Sequence, residues 1–173
     1  MSSQKTVVLD IGSGASLPTK KEAEKVVSMV ASLNSRRHRV ILKPQLFKNI
    51  PPNKELSHEV YEHLVALCQA EGLELAASVF DEASLHVALT YGVAHIKIAC
   101  RPDLYWLAGK VPREVPVHVS WDCRGQEPTL PKVDVRLACV PSYPAEWTDY
   151  NQDSRYMESG EWSAISDHAV GLT

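Results

Sequence analysis

Short β-branched runs alternate along the chain with stretches in which apolar residues recur every three or four positions, so the pattern predicts repeated strand and helix units. Thr6 to Ile11 (TVVLDI) is such a run, closed by Gly12-Ser13-Gly14, and reads as a buried strand entering a tight turn. Thr19 and Glu22 have the spacing of a capping box, after which Ala23, Val26, Val27, Val30, Ala31 and Leu33 keep helical spacing. Arg39 to Lys43 predicts a second strand, stopped by Pro44. Past Pro51-Pro52, Val60, Leu64, Leu67 and Cys68 mark a second amphipathic helix, with Gly72 placed to end it in the left-handed conformation. Leu73 to Val79 predicts a third strand, Asp81 a cap for a helix carrying Leu85, Ala88 and Leu89 that Gly92 ends, and Val93 to Ala99 a fourth strand.

Beyond Arg101 the rhythm changes. Strand patterns recur at Val115 to Ser120, Val133 to Val140 and Ser163 to Ser166, but the segments between them are short and rich in Pro, Gly and Asp, which predicts reduced helices. Alternating units predict a parallel sheet, and about seven in succession predict an α/β fold of the TIM-type (β/α) barrel class rather than an open doubly wound sheet. A full barrel takes about 250 residues. The 173 residues here predict a truncated one, a single domain over 1–173 that ends before an eighth strand.

Composition narrows the function classes. With 45% apolar residues the chain can bury a substantial core. A formal charge of -3 and the lack of any long Lys/Arg run argue against a nucleic-acid partner. The one basic cluster, Arg36, Arg37 and Arg39, falls where a helical pattern ends and is expected to be solvated there. No stretch approaches the roughly 20 apolar residues that span a bilayer, and the first ten residues lack a signal-peptide core, so a cytoplasmic protein with no membrane partner is expected. Cys68, Cys100, Cys123 and Cys139 are widely separated with no C-x-x-C spacing, the pattern of reduced thiols.

Barrel enzymes place their chemistry where strands end, and the words found there form a series. Lys43-Pro44-Gln45-Leu46-Phe47, Ser78-Val79-Phe80-Asp81-Glu82, Lys97-Ile98-Ala99-Cys100, Cys139-Val140-Pro141-Ser142-Tyr143-Pro144 and Ser166-Asp167-His168 resemble, in order, the K-F-Q-x-F, T-P-F-D-E, K-I-A-S, Y-P and S-D-H words of the sialic acid synthase family. The resemblance runs over nearly the whole chain. It implies a barrel that condenses phosphoenolpyruvate with an amino sugar or related aldehyde in carbohydrate biosynthesis, a divalent manganese or magnesium ion polarising the aldehyde.

The same resemblance assigns roles. Lys43, Lys97, Ser120 and Ser166 would hold the phosphate and carboxylate of phosphoenolpyruvate or another small phosphorylated ligand. Asp10, where the family carries glutamate, Gln45 and Tyr143 would serve catalysis and the sugar, and His168 would bind the metal. Each residue also has an ordinary reading. A lysine at a buried strand end can pair with a neighbouring carboxylate, Asp10 can serve a turn, and a lone histidine can simply be hydrogen-bonded. Departures from the family are Cys100 for serine, Pro102 for a sugar-binding acid and Pro141 for an amide, and no counterpart of the second metal-binding histidine or of the C-terminal antifreeze-like domain is seen. The implied activity is therefore a reduced or altered condensation, with a catalytically idle barrel binding a phosphorylated ligand or a protein as the alternative. A sheet with unclosed edges predicts a homo-oligomer, with Trp106, Trp121, Trp147 and Trp162 either at its interface or in the core.

Overall fold

The computed structural model describes residues 5–33, 38–48, 53–122, 124, 125, 128–146, 148, 149, 164–166 and 168. Asp167, Arg36, Arg37, Cys123, Trp147 and Trp162, named above, lie outside the described residues. The chain's contacts gather into two units, Met1–His95 and Ile96–Thr173. Every strand pair described is parallel, and three helices alternate with the strands of the first unit, the repeating pattern of the TIM-type (β/α) class.

In the first unit, β1 (Lys5–Gly12), α1 (Lys20–Ala31), β2 (His38–Leu46), α2 (His58–Ala70), β3 (Glu74–Leu75), β4 (Ala77–Val79) and α3 (Glu82–Thr90) follow in order. β2 pairs with β1 on one side and with β3 and β4 on the other. This central strand is buried continuously from Val40 to Pro44, the signature of a parallel strand covered on both faces. The buried residues of α1 are Ala23, Val27 and Val30 and those of α2 Val60, Tyr61, Leu64, Val65 and Cys68; α1 packs against α2, and α2 against β3. Asp81 caps α3 by accepting from the Ser84 amide, and Gly72 and Gly92 follow α2 and α3 with positive φ, as their spacing predicts.

Four local expectations change. β2 does not stop at Pro44; it runs on to Leu46. The reason is a shift in register between Asp10 and Gly12, which sets Pro44 opposite Gly12 at an irregularity in the ladder, where a missing N–H costs little. The Thr19 hydroxyl donates to the Glu22 carboxylate instead of capping a backbone amide. Leu73 to Val79 is two short strands rather than one, interrupted where the Ala76 amide donates to the Leu42 carbonyl. Arg39, in β2 as the run Arg39 to Lys43 predicts, makes a two-pronged ion pair with Glu74 of β3 instead of standing solvated at a helix end.

The second unit contains β5 (Ile96–Ile98), a 3-10 helix (Pro102–Lys110), β6 (Val117–Asp122), β7 (Val135–Cys139) and β8 (Ala164–Ser166), paired in that strand order. The helical return after β5 is the tight 3-10 form, and Leu104, Tyr105, Leu107 and Ala108 are its buried residues. Lys132 takes over part of the backbone satisfaction, its ammonium donating to the carbonyls of Pro112, Arg113 and Val115 at 2.8, 3.1 and 2.6 Å. Trp121 is core, with the Arg136 guanidinium 5.9 Å from its ring centre, whereas Trp106 is about half exposed.

Gly12 has φ of 75°, and an added Cβ there would run into the Ser16 side chain; Gly72 has φ of 65° with open space around it. Gly72→Ala should therefore lose only the left-handed backbone term of about 1 to 2 kcal/mol. Gly12→Ala should lose more, because its Cβ also has to displace a neighbour. Urea unfolding of both variants tests this, and equal losses would show that the Ser16 contact does not constrain the turn.

Candidate functional site

The parallel register decides which side chains meet. Asp10 is the register partner of Lys43, and Gln45 that of Ser78, so four polar residues line one face of the first unit at the carboxyl ends of β1, β2 and β4. The Lys43 ammonium donates to Asp10 Oδ2 at 2.6 Å and to Ser78 Oγ at 2.9 Å. Gln45 Nε2 donates to the same Oδ2 at 2.8 Å, and the Gly12 amide donates to Asp10 Oδ1 at 2.9 Å. Lys43 is only 8% exposed, so its charge depends on these partners. Burial alone would raise the Asp10 pKa. The Lys43 charge, the Lys43 and Gln45 hydrogen bonds and the Gly12 amide outweigh it and hold the carboxyl below its usual value.

The second unit carries the other candidates. Lys97 on β5 is the register partner of His118 on β6, and Ser120 lies two residues on, on the same face of that strand. Lys97 Nζ donates to the Ile98 carbonyl at 2.9 Å. Ser120 is 1% exposed, and its hydroxyl has no hydrogen-bond partner among the described residues. A buried hydroxyl unmet by protein groups keeps its hydrogen-bonding capacity for water or a ligand. Burial, and after it the Lys97 charge, push the His118 pKa down to about 4. Along the next register row lie Asp122, Cys139 and Ser166. Cys100 is a partly buried thiol whose pKa is lowered chiefly by a hydrogen bond from Cys139.

Tyr143 and His168 come together as well. Their rings stack with centres 4.0 Å apart, and the Tyr143 hydroxyl lies 2.7 Å from His168 Nε2. His168 Nδ1 donates to the Val140 carbonyl at 2.9 Å, so both ring nitrogens are engaged in hydrogen bonds. No group of three or more His, Cys, Asp or Glu among the described residues could hold a metal ion.

Asp10, Lys43 and Gln45 are therefore gathered in the first unit, and Tyr143 with His168 in the second, while Lys97 and Ser120 share a face of the second unit's sheet. Sequence reasoning missed Ser78 and His118 as members of these faces. The signal was present: Ser78 opens one of the family-like words, and His118 precedes Ser120 by two residues, the spacing that puts both on one face of a strand.

No protein-family model and no curated protein matches the chain. Solved structures do. N-acetylneuraminic acid (sialic acid) synthetase of Leptospira borgpetersenii serovar Hardjo-bovis, solved with citrate, matches 98% of this chain and 67% of its own at TM-score 0.70 and 18% identity. The spore coat polysaccharide biosynthesis protein SpsE of Bacillus subtilis matches 98% of this chain at TM-score 0.66 and 15% identity. This chain spans 54% of the length of SpsE. Dihydropteroate synthase of Xanthomonas albilineans matches 90% of this chain at TM-score 0.54 and 12% identity. The fold is thus a shortened TIM-type (β/α) barrel. Within that class it is the fold of the sialic acid synthetase and SpsE, as the strand-end words imply. No helix among the described residues is long and apolar enough to cross a membrane.

The low His118 pKa has a measurable consequence. Between the ordinary value of 6.5 and about 4, the unfolded chain binds a proton that the folded chain does not, so stability falls as pH falls through that window. Urea midpoints of the parent should drop from pH 6.5 to 4, and His118→Gln should flatten that part of the curve. A drop of the same size in both proteins would remove His118 as its source.

Proposed function

We propose that the chain is a sialic acid synthase-like protein that binds phosphoenolpyruvate or a closely related small phosphorylated anion, with condensation to an amino sugar or related aldehyde in reduced or altered form. The observation that carries this reading is a buried lysine, Lys43, at a strand end among Asp10, Gln45 and Ser78, where the family-like words place an anion-binding cation. Ser120 adds a buried hydroxyl with its hydrogen-bonding capacity unspent. Lys97 supplies a second strand-end ammonium. Asp10, Gln45 and Tyr143 are the proposed catalytic and sugar-side groups, and Ser166 a further phosphate-side donor.

A second reading has its own support: the chain binds the anion without turning it over. Lys43 is already neutralised by Asp10, and His168 is committed to Tyr143 and Val140. Pro102 and Pro141 bring no side-chain polar atom to positions where the family uses an acid and an amide.

Calorimetric titration with phosphoenolpyruvate, with and without manganese, tests the binding. Lys43→Ala and Lys97→Ala, made separately, should each weaken it by about tenfold to a hundredfold, the equivalent of roughly 1.5 to 3 kcal/mol for a lost charge-assisted contact. If both variants bind as the parent does, the assignment of the lysines fails. The two readings separate in an activity assay: the purified chain is expected to form no N-acetylneuraminate from phosphoenolpyruvate and N-acetylmannosamine. Robust metal-dependent product would overturn that expectation and the idle-barrel reading together.

A further inference from the structure

Two thiols meet in the second unit, and the proposed function uses neither. Cys139 is the last residue of β7, fully buried, and the register partner of Asp122 on β6. Cys100 lies just past the end of β5 and is half-buried. Ile98 pairs with Val119, so two residues further on Cys100 stands level with Trp121, whose partner on β7 is Ala138, the neighbour of Cys139. The Arg101 amide donates to the Ala99 carbonyl at 2.7 Å, a tight turn centred on Cys100 that takes it out of the ladder. The Cys139 thiol donates a hydrogen bond to the Cys100 sulfur, so the two sulfurs are in contact.

Their surroundings give the two thiols different roles. Cys139 is shut off from solvent and lies beside the His168 ring, its sulfur 3.8 and 3.9 Å from the two ring nitrogens. Cys100 keeps solvent access, and its sulfur also has the Tyr105 hydroxyl beside it, a group positioned by its hydrogen bond to the Ser120 carbonyl at 3.0 Å. The Cys139 hydrogen bond, with smaller help from Tyr105 and the Lys97 charge, lowers the Cys100 pKa against burial and the Asp122 charge, which raise it. A solvent-accessible thiolate beside a second thiol is the arrangement in which oxidation ends in a disulfide instead of proceeding to sulfinic acid. Cys68 is the contrast: it is buried on all sides, and burial pushes its pKa up to about 12, which makes it inert.

We propose that Cys100 and Cys139 form a peroxide-responsive pair, a modification site at which Cys100 is oxidised first and Cys139 closes the disulfide. The Cys100 thiolate attacks one oxygen of hydrogen peroxide: an S–O bond forms, the O–O bond breaks, and the departing hydroxide takes up a proton to give water. The product is the Cys100 sulfenic acid. The Cys139 sulfur then attacks the Cys100 sulfur; the S–S bond forms, the S–O bond breaks, and the hydroxide leaves with the Cys139 proton as a second water. The two thiols give up two electrons and two protons in all, and the peroxide becomes two waters. Sulfurs already in contact have only to close to about 2 Å, and the turn at Cys100, outside the β5 ladder, can follow. The assignment does not rest on phosphoenolpyruvate binding, and either can fail without the other.

The test is to add hydrogen peroxide to the whole folded chain, alkylate the remaining thiols, digest with trypsin without reductant and identify the linked peptides by mass spectrometry. Trypsin places Cys68 in peptide 55–97, Cys100 in 98–110, Cys123 in 114–124 and Cys139 in 137–155. The expected product is one linked pair, 98–110 with 137–155, in the parent and in Cys123→Ser alike, with Cys68 still alkylated. Cys139→Ser should instead accumulate a Cys100 sulfenic acid that dimedone traps. Cys100→Ser should leave Cys139 reduced, because the buried thiol does not meet peroxide directly. The parent and Cys123→Ser decide the pairing by themselves, whether or not the other two variants fold. The proposal is overturned if 98–110 is found linked to 114–124 or to nothing, or if Cys139 is oxidised as fast in folded Cys100→Ser as in the parent.

Discussion

A lysine ammonium that is 8% exposed cannot be left to itself, and the arrangement at the carboxyl end of β2 follows from meeting that demand. Asp10 supplies the opposite charge, Ser78 accepts a second hydrogen bond, and Gln45 and the Gly12 amide fix the carboxylate from its other sides. Asp10 and Gly12 belong to β1, Gln45 to β2 itself and Ser78 to β4, so these contacts tie β1, β2 and β4 together through side chains. The left-handed turn at Gly12 is part of the same device, because it swings the amide back onto the aspartate two residues earlier. The short aspartate side chain keeps its carboxylate against its own turn and against Lys43.

Much of the fold was legible because parallel strands buried on both faces write themselves as unbroken apolar runs, and helices stop at glycines such as Gly72 and Gly92 whose conformation other residues avoid. Interruption was harder to read. Pro44 has the appearance of a strand terminator, yet an irregularity in the neighbouring strand lets it sit inside β2, and only the pairing register reveals that. Arg39 was drawn to a helix end by its neighbours in sequence, whereas its true partner, Glu74, is 35 positions away. Local pattern carries no information about such a distance.

The site was legible in a different sense. The word beginning at Lys43 singled out Lys43 and Gln45, and the resemblance added Asp10 separately; the structure gathers the three within hydrogen-bonding reach. Neither revealed that Asp10 would occupy Lys43, because a word gives residue types and not the state of their charges. Ser78 and His118 escaped for a simpler reason: a serine or histidine inside an apolar strand looks like packing until its neighbours across the ladder are known.

Charge compensation also lets this lysine stay buried at a strand end without a bound anion. An unpaired buried ammonium would make binding of a multiply charged anion nearly obligatory for stability, since folding and ligand would share the cost of desolvation. The Asp10–Lys43 pair removes that dependence. The buried ammonium is compensated without any bound anion, and an anion approaching Lys43 would have to compete with a carboxylate held at 2.6 Å. An anion that reached Lys43 while it is shared with Asp10 would be held more weakly than by a bare lysine.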